Sequence, residues 1–210
     1  MSGKVETFTY PERLLRSNMY FIDAGQQQVV IVDPSVAGSQ IIDFLNKRNL
    51  KPLAILLTHG HFDHVRGVLA LINEYHIPCL IGENELDYLD NRWFMGEISE
   101  EVQATNLLQP VYDQAKFTFG ALTLTVLATP FHSFGSVCYY FEQEKMLFSG
   151  DTLFKGSVGR TDLYGSAPRL MQKSLTQILQ LPQDTRVYPG HGEKTTINQE
   201  VKYNRFFMII

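Results

Sequence analysis

Residues 53–64 run as a short hydrocarbon stretch followed directly by three imidazoles and one carboxylate: Leu53-Ala54-Ile55-Leu56-Leu57-Thr58-His59-Gly60-His61-Phe62-Asp63-His64. The lack of polar alternation before Thr58 predicts a β-strand that is covered on both faces. Val65, Val68, Leu69 and Ile72 then recur at helical spacing, which predicts an amphipathic helix. The polar residues therefore occupy a loop between a buried strand and a helix, and this clamp should hold their side chains rigidly.

The spacing of these polar residues is suited to binding metal. Residues two apart in an extended segment point the same way, so His59 and His61 can face one ion while Asp63 and His64 face another. Imidazole and carboxylate donors without a thiolate favour zinc, iron, manganese or cobalt over calcium and magnesium. The alternative is a polar turn whose histidines only form hydrogen bonds, which is disfavoured because buried polar groups without partners are costly.

The rest of the chain indicates alternating strands and helices. Helices are predicted over residues 38–49 and 83–89. Strands are predicted at residues 18–24, 28–33, 78–81, 117–119, 122–127, 137–141, 145–149 and 186–188. Residues 92–110 have no clean period, and they form either a lid on the loop side or an irregular packing segment.

Three more candidate ligands follow predicted strands. His132, Asp151 and His191 each lie in a loop just after a strand, so five of the 6 histidines follow strand ends. His76 lies near a helix end instead, and we expect it on the surface. Because independent surface roles would not produce this repeated placement, the loops should meet at one site.

Composition and charge narrow the classes of partner. The 210 residues are 44% hydrophobic and 12% aromatic, enough for a sizeable core, and we expect a single domain over residues 1–210. A net charge of -4 without a Lys/Arg-rich run argues against nucleic acid and anionic membranes. No signal peptide or membrane span is evident, and Cys79 and Cys138 are expected to be core thiols in a reducing compartment. The expected location is cytoplasmic.

The ligand pattern resembles the metallo-β-lactamase superfamily. Within it, three stretches are similar to the glyoxalase II (hydroxyacylglutathione hydrolase) type: Phe148–Phe154, Gly159–Asp162 and Tyr188–Gly192. The resemblance implies an α/β fold, an αββα sandwich of two mixed β-sheets with helices on the outside. It also implies that the site lies along one rim of the sandwich.

By the same resemblance, two divalent metal ions are expected, zinc first, with iron or manganese as alternatives. One ion would be held by His59, His61 and His132, and the other by Asp63, His64 and His191, with Asp151 bridging. Asp63 and Asp151 are also the predicted catalytic residues. The implied function is hydrolysis of a thioester such as S-lactoylglutathione by a metal-activated hydroxide.

Some features depart from the glyoxalase II pattern. Phe131 and Phe134 stand where that branch usually has Gly and Pro beside His132, which predicts a bulkier wall next to this ligand. The helical domain that follows the catalytic domain in longer glyoxalase II enzymes is not expected here. Lys155 and Arg160 are predicted to bind substrate carboxylates, although Arg160 could instead pair with Asp162 and only fix the backbone.

A second function fits the same ligands. Persulfide dioxygenases share the histidine motif and would hold a single iron with the equivalents of His59, His132 and Asp151. The run Pro189-Gly190-His191-Gly192-Glu193 looks more like the hydrolases. Lactamase activity is not expected, because the penicillin-hydrolysing relatives usually have a cysteine where Asp151 stands and are exported. The predicted partner is a small thioester, and the oligomeric state is left open.

Overall fold

The computed structural model describes residues 4–9, 16–91, 94–95 and 99–207. The first half of the chain forms a six-stranded sheet whose spatial order follows the sequence. Its strands are β1 (Val5–Thr9), β2 (Asn18–Gly25), β3 (Gln28–Val32), β4 (Lys51–Leu56), β5 (Cys79–Gly82) and β6 (Leu108–Val111). β1, β2 and β3 pair antiparallel, and β3 to β6 pair parallel, so the sheet is mixed.

The second half forms another mixed six-stranded sheet, in the order β14-β13-β10-β9-β8-β7. Its elements are β7 (Lys116–Phe119), β8 (Leu122–Ala128), β9 (Val137–Phe141), β10 (Met146–Gly150), the hairpin strands β11 (Leu153–Phe154) and β12 (Ser157–Val158), then β13 (Arg186–Pro189) and β14 (Thr195–Thr196). The β11–β12 hairpin pairs only with itself. β8, β10 and β13 run in one direction, so their carboxyl ends meet at the same edge.

Helices cover the outer faces of both sheets. They are α1 (Gly38–Lys47), α2 (Phe62–Val65), α3 (Val68–Tyr75), α4 (Ser99–Ala104), α5 (Met171–Leu179) and α6 (Ile197–Tyr203), with 3₁₀ turns at Glu83–Tyr88 and Pro168–Leu170. Leu45 and Leu71 cover the first sheet, and Leu175 and Ile197 cover the second. Among the helices described, none is long and apolar enough to cross a membrane.

β4 explains how the layers are joined. Ile55 packs into the cluster beneath α1 and α3, whereas the next residue, Leu56, packs into the cluster between the two sheets. Alternate residues of one strand thus serve two cores, as the unbroken hydrocarbon run predicts. The αββα sandwich expected from the sequence is confirmed.

Several smaller expectations can be compared with the structure. Cys79 and Cys138 are buried core thiols, and His76 is exposed, as expected. In the segment 92–110, Phe94 and Met95 are buried. For these two residues the structure therefore favours an irregular packing segment over a lid. The lid hypothesis for residues 92–93 and 96–98 lies outside the described residues.

Candidate metal centre

The loop after β4 supplies four of the predicted ligands from two kinds of backbone. His59 and His61 precede α2, and His61 has the extended backbone of a helix N-cap, with φ -61° and ψ 142°. Asp63 and His64 lie inside α2 and are buried. The change from extended chain to helix points the two pairs at different neighbours. His59 and His61 group with His132, while Asp63 and His64 group with His191.

Loops from the second sheet bring the other three ligands to the same rim. His132 follows β8, Asp151 follows β10, and His191 follows β13. Glycine is required beside them: a Cβ on Gly190 would lie 2.2 Å from Asp151 Oδ1 and 2.8 Å from a carbon of the His64 ring. The close approach of this loop therefore depends on the missing side chain.

The seven residues form two adjoining groups. In the first, His132 Nε2 lies 3.0 Å from His61 Nδ1. In the second, His64 Nε2 lies 3.3 Å from His191 Nε2, which is 3.4 Å from Asp63 Oδ2. The Asp151 carboxylate stands between the groups: its Oδ2 is 3.4 Å from His132 Nε2 and 3.5 Å from His191 Nε2.

Hydrogen bonds at the far side of three rings leave Nε2 of each ring facing the centre. Thr58 Oγ1 donates to Asp33 Oδ2 at 2.7 Å, so it accepts from His59 Nδ1 at 3.0 Å. His64 Nδ1 donates to Asp33 Oδ2 at 3.0 Å, and His132 Nδ1 donates to a backbone carbonyl at 2.9 Å. A neutral imidazole that donates through Nδ1 presents Nε2 as an acceptor or metal ligand.

The donor set fits metal ions. His59 Nε2 and Asp151 Oδ1 are buried without a hydrogen-bond partner among the described residues, which would be costly unless a cation satisfies them. Two imidazole nitrogens that share one tetrahedral zinc ion lie about 3.3 Å apart, close to the His64 to His191 distance of 3.3 Å. The arrangement can therefore accommodate two neighbouring ions, as the sequence predicts.

Electrostatics differ between the two groups. Burial lowers the pKa of His59 well below its ordinary value, and burial with the neighbouring His132 lowers that of His61 to about 3. Burial acts in the same direction on His64, but Asp63, Asp33 and Asp151 outweigh it and raise its pKa to about 10. His59 and His61 are thus neutral and able to donate lone pairs, while the carboxylates around His64 favour a cation.

Asp33 supports the centre, although sequence analysis did not select it. It is buried at the end of β3 and accepts hydrogen bonds from the Thr58 amide, the Thr58 hydroxyl and His64 Nδ1. Its oxygens lie near His59 and His64, yet they are engaged by donors on the far side of those rings. We therefore assign Asp33 to orienting the ligands rather than to binding an ion. The available signal was its position after a strand, in Asp33-Pro34.

Glu85 is a second residue that sequence analysis missed. This fully buried carboxylate lies in the first 3₁₀ turn and accepts the Gly60 amide at 2.8 Å and the Gly135 amide at 3.0 Å. It also accepts a hydrogen bond from the Ser133 hydroxyl. Since Gly60 lies between His59 and His61, and Ser133 follows His132, Glu85 ties together the two loops that carry the first ligand group. Burial raises the pKa of Glu85 to about 6.

The predicted substrate-binding residues occupy different places. Arg160 lines the cleft above the centre, where its guanidinium holds Asp162 by two hydrogen bonds of 2.7 and 2.8 Å. Its carbonyl oxygen accepts the bond from His132 Nδ1. Lys155 pairs with Glu193 and borders a separate surface groove. The substrate-binding role of both side chains stays a prediction.

A cleft of about 510 Å³ opens above the two ligand groups. The ligands that form its floor are His61, Asp63, His132, Asp151 and His191, and its walls include Phe62, Phe154, Val158, Leu163 and Tyr164. The expectation that Phe131 and Phe134 form a bulkier wall beside His132 is wrong, because neither residue lines this cleft. Phe131 is fully buried beneath the second sheet, and Phe134 borders another surface pocket.

The comparisons with known proteins agree with this geometry. A profile described as Metallo-beta-lactamase superfamily matches residues 13–191 of the chain. The chain belongs to the metallo-β-lactamase superfamily. Among curated superfamily members, it is similar to the probable metallo-hydrolase YqgX of Bacillus subtilis, with 35% identity over 91% of this chain and 92% of that protein. It is 31% identical to a hydroxyacylglutathione hydrolase of Nitrosomonas eutropha, over 87% of this chain and 64% of that protein.

Solved structures of the superfamily give the same fold. BLEG-1, described as a B3 metallo-beta-lactamase, superposes with a TM-score of 0.84 and 36% identity, over 97% of this chain and 99% of that one. TTHA1623 in a di-iron-bound form gives 0.79 and 33%, over 95% and 99%. ETHE1 from Myxococcus xanthus gives 0.76 and 25%, over 96% and 83%. The chain is thus a member of a superfamily of metal-dependent hydrolases, and its curated relatives include a probable metallo-hydrolase.

Proposed function

We propose that this metallo-hydrolase cleaves a thioester such as S-lactoylglutathione. The observation that carries the proposal is the placement of Asp151 between two ligand groups at the floor of an open cleft. A hydroxyacylglutathione hydrolase is among the relatives, and the stretches named above are similar to that branch.

The ligand side chains would hold two ions, zinc first, with iron or manganese as alternatives. Bound ions of this kind lower the pKa of water towards about 7 and polarise a carbonyl, which supplies nucleophile and electrophile without a covalent enzyme intermediate. His59, His61 and His132 would hold one ion, and Asp63, His64 and His191 the other. Asp151 would contact both.

The Asp63 carboxylate remains charged at neutral pH. Burial would raise the pKa of Asp63, but His64 and His191 outweigh that cost and hold it well below its usual range. An anionic Asp63 can accept a hydrogen bond from the attacking water and orient it towards the substrate carbonyl in the cleft. Asp63 and Asp151 are therefore the proposed catalytic residues, because both line the cleft floor.

A protein nucleophile is not needed, and the obvious candidates are badly placed. Cys79 and Cys138 are buried in the core, and burial raises the pKa of the Cys138 thiol to about 11. Ser133 is fully buried and its hydroxyl donates to Glu85. These three groups cannot readily reach a substrate in the cleft, so direct attack by water is the simpler route.

A persulfide dioxygenase is the second candidate, because that class shares the histidine motif of this chain. That reaction would engage His59, His132 and Asp151 on a single iron. It would leave Asp63, His64 and His191 without a ligand role, although these three lie within hydrogen-bonding or near-contact distances of one another. The complete second group favours the hydrolase.

The test compares three reactions catalysed by the same purified protein. Protein loaded separately with zinc, iron and manganese is assayed for thiol release from S-lactoylglutathione, for oxygen uptake with glutathione persulfide, and for β-lactam hydrolysis, because BLEG-1 is described as a lactamase. We expect thiol release that a chelator abolishes and that Asp151→Asn removes, with exposed Asp43→Asn as the matched control. Oxygen uptake or β-lactam cleavage without thioester cleavage would reject the proposal.

A further inference from the structure

The cleft above the metal centre has apolar walls that the reaction itself does not require. Phe62 and Tyr164 are large side chains left 37% and 59% exposed at its edge. Phe154, Val158 and Leu163 complete the lining. Aromatic and aliphatic groups exposed together beside a reactive site mark a surface that gains free energy when an apolar group covers it.

One wall is held by a chain of aromatic contacts that starts at a ligand. The Phe94 ring lies 4.7 Å from the His61 ring and stacks on Tyr88 at 5.7 Å. Tyr88 in turn meets Tyr164 edge-on at 5.9 Å. Because each ring is fixed by the one beneath it, Tyr164 presents a formed surface, and little ordering is needed when a ligand binds.

A second wall, which includes Phe154, is anchored to α6. Glu200 in α6 is buried and accepts the Gly156 amide at 2.8 Å, at the turn of the β11–β12 hairpin. Asn204 donates to the Ser157 carbonyl at 3.1 Å. These bonds hold Phe154, whose ring meets His191 edge-on at 6.1 Å. Both walls are therefore preformed: the Phe154 ring meets the His191 ring directly, and Tyr164 is linked to the His61 ring through Tyr88 and Phe94.

Charge in the cleft points the same way. Among the described residues that line it, Arg160 is the only lysine or arginine, and its guanidinium is occupied by both Asp162 carboxylate oxygens. A substrate carboxylate would have to displace a partner that is tethered two residues away. The cleft thus offers apolar area and no unpaired cation from these lining residues, so its walls suit an apolar group better than a charged one.

We infer that this cleft binds an apolar acyl chain, so that the substrate class is a medium-chain acyl thioester whose carrier lies outside. This inference rests on the proposed thioester hydrolysis and refines its acyl group. The acyl chain and the thiol are both bonded to the carbonyl that must reach the cleft floor, and the apolar walls beside that floor favour the acyl chain over a charged carrier. Water adds to the carbonyl carbon, the carbon–sulfur bond breaks, and the products are the carboxylic acid and the free thiol.

The test uses thioesters of one uncharged thiol, N-acetylcysteamine, with lactoyl, acetyl, butanoyl, hexanoyl and octanoyl groups. With metal-loaded protein, kcat/KM should rise about fourfold for each methylene that the cleft buries. Among the acyl groups with three or more carbons, lactoyl should give the lowest kcat/KM. Tyr164→Ala and Phe154→Ala should flatten the series. Tyr112→Ala removes an exposed tyrosine outside the cleft and should leave the series unchanged.

Calorimetry with the matching uncleavable S-alkyl thioethers gives a second readout, in which affinity should rise along the same series. Thioester cleavage that is independent of chain length, or fastest with lactoyl, overturns this inference and leaves the proposed function standing. A complete lack of thioester cleavage overturns the proposed function. Flat thioether binding in that case would overturn the apolar cleft as well.

Discussion

Asp33 Oδ2 lies 3.0 Å from His64 Nδ1, at the end of the ring opposite the nitrogen that faces His191. The same carboxylate accepts from the Thr58 hydroxyl, which accepts in turn from His59. One buried aspartate therefore sets the hydrogen-bonding state of a histidine in each ligand group. Such outer contacts fix the ring orientation and increase the basicity of the ligand.

Replacing Asp33 should weaken metal binding without unfolding the protein. Asp33 has φ +47°, a conformation that Asn also tolerates, so Asp33→Asn keeps the backbone while it removes the charge. We expect a loss of about 10- to 100-fold in metal affinity, measured by competition with a chromophoric chelator. Exposed Asp43→Asn serves as the control. An unchanged affinity would show that the contact does not orient His64.

Metal stoichiometry tests the role of Asp151. Because this carboxylate stands between the groups, Asp151→Ala should weaken binding of both ions, whereas His191→Ala should weaken mainly one. Elemental analysis of the parent protein should give two ions per chain, and titration calorimetry should resolve the variants. A fully loaded parent that contains one ion per chain contradicts the prediction.

Glu85→Ala should destabilise the fold and loosen the first ligand group. It leaves the Gly60 and Gly135 amides without their acceptor, at about 1–3 kcal/mol for each buried donor. Urea denaturation of the metal-free protein measures the loss. Glu83→Ala removes an exposed carboxylate from the same 3₁₀ turn, and it should change stability by no more than about 0.5 kcal/mol. Equal effects of the two substitutions would show that Glu85 does not hold the two ligand loops together.

The stability of the metal-free protein should peak near neutral pH. The folded-state pKa of His61 is lowered from 6.5 to about 3, so between these values the unfolded chain binds the extra proton and the free energy of unfolding rises with pH. The folded-state pKa of His64 is raised from 6.5 to about 10, so above pH 6.5 the folded chain holds the extra proton and stability falls. His61→Gln should make the acid limb shallower, by at most about 1.4 kcal/mol per pH unit. Chemical denaturation at pH 5, 7 and 9 checks both limbs.

The pairing of Arg160 with Asp162 predicts different effects on KM for two variants. Asp162→Asn frees the guanidinium fork, so KM for S-lactoylglutathione should fall while kcat stays the same. Arg160→Ala in the parent background should leave this KM within about twofold, because the removed fork was already occupied. A raised KM for the glutathione thioester alone, with an uncharged thioester unaffected, would instead support the sequence-based role of Arg160 in binding the carrier.

The sequence was informative where the functional group is a side chain. The seven candidate ligands could be selected because each polar residue follows a strand, and the hydrocarbon run before Thr58 indicated a strand buried on both faces. Glu85 could not be selected in this way, because two of its partners are backbone amides that lie 25 and 50 residues away. Arg160 was selected for its side chain, whereas its carbonyl is the group that contacts His132.

The missed helices have a similar physical explanation. α5 has buried Leu175 and Ile178 at helical spacing, but these two are the only buried apolar residues of the helix. α6 has seven residues, too few for a period to show. Both are held mainly by packing against the second sheet, and such tertiary stabilisation leaves a weak local signal. The expected wall beside His132 was wrong because the backbone turns Phe131 into the core.

Each sheet is built from a separate half of the chain, so ions bound at the centre would join the two halves. In the described residues, the strands of the first sheet end at Val111 and those of the second begin at Lys116. A chain cut between them would give two fragments, one with His59, His61, Asp63 and His64 and the other with His132, Asp151 and His191. Ions shared by both would fasten the fragments together. Their reassociation should accordingly be switched on by metal and reversed by a chelator.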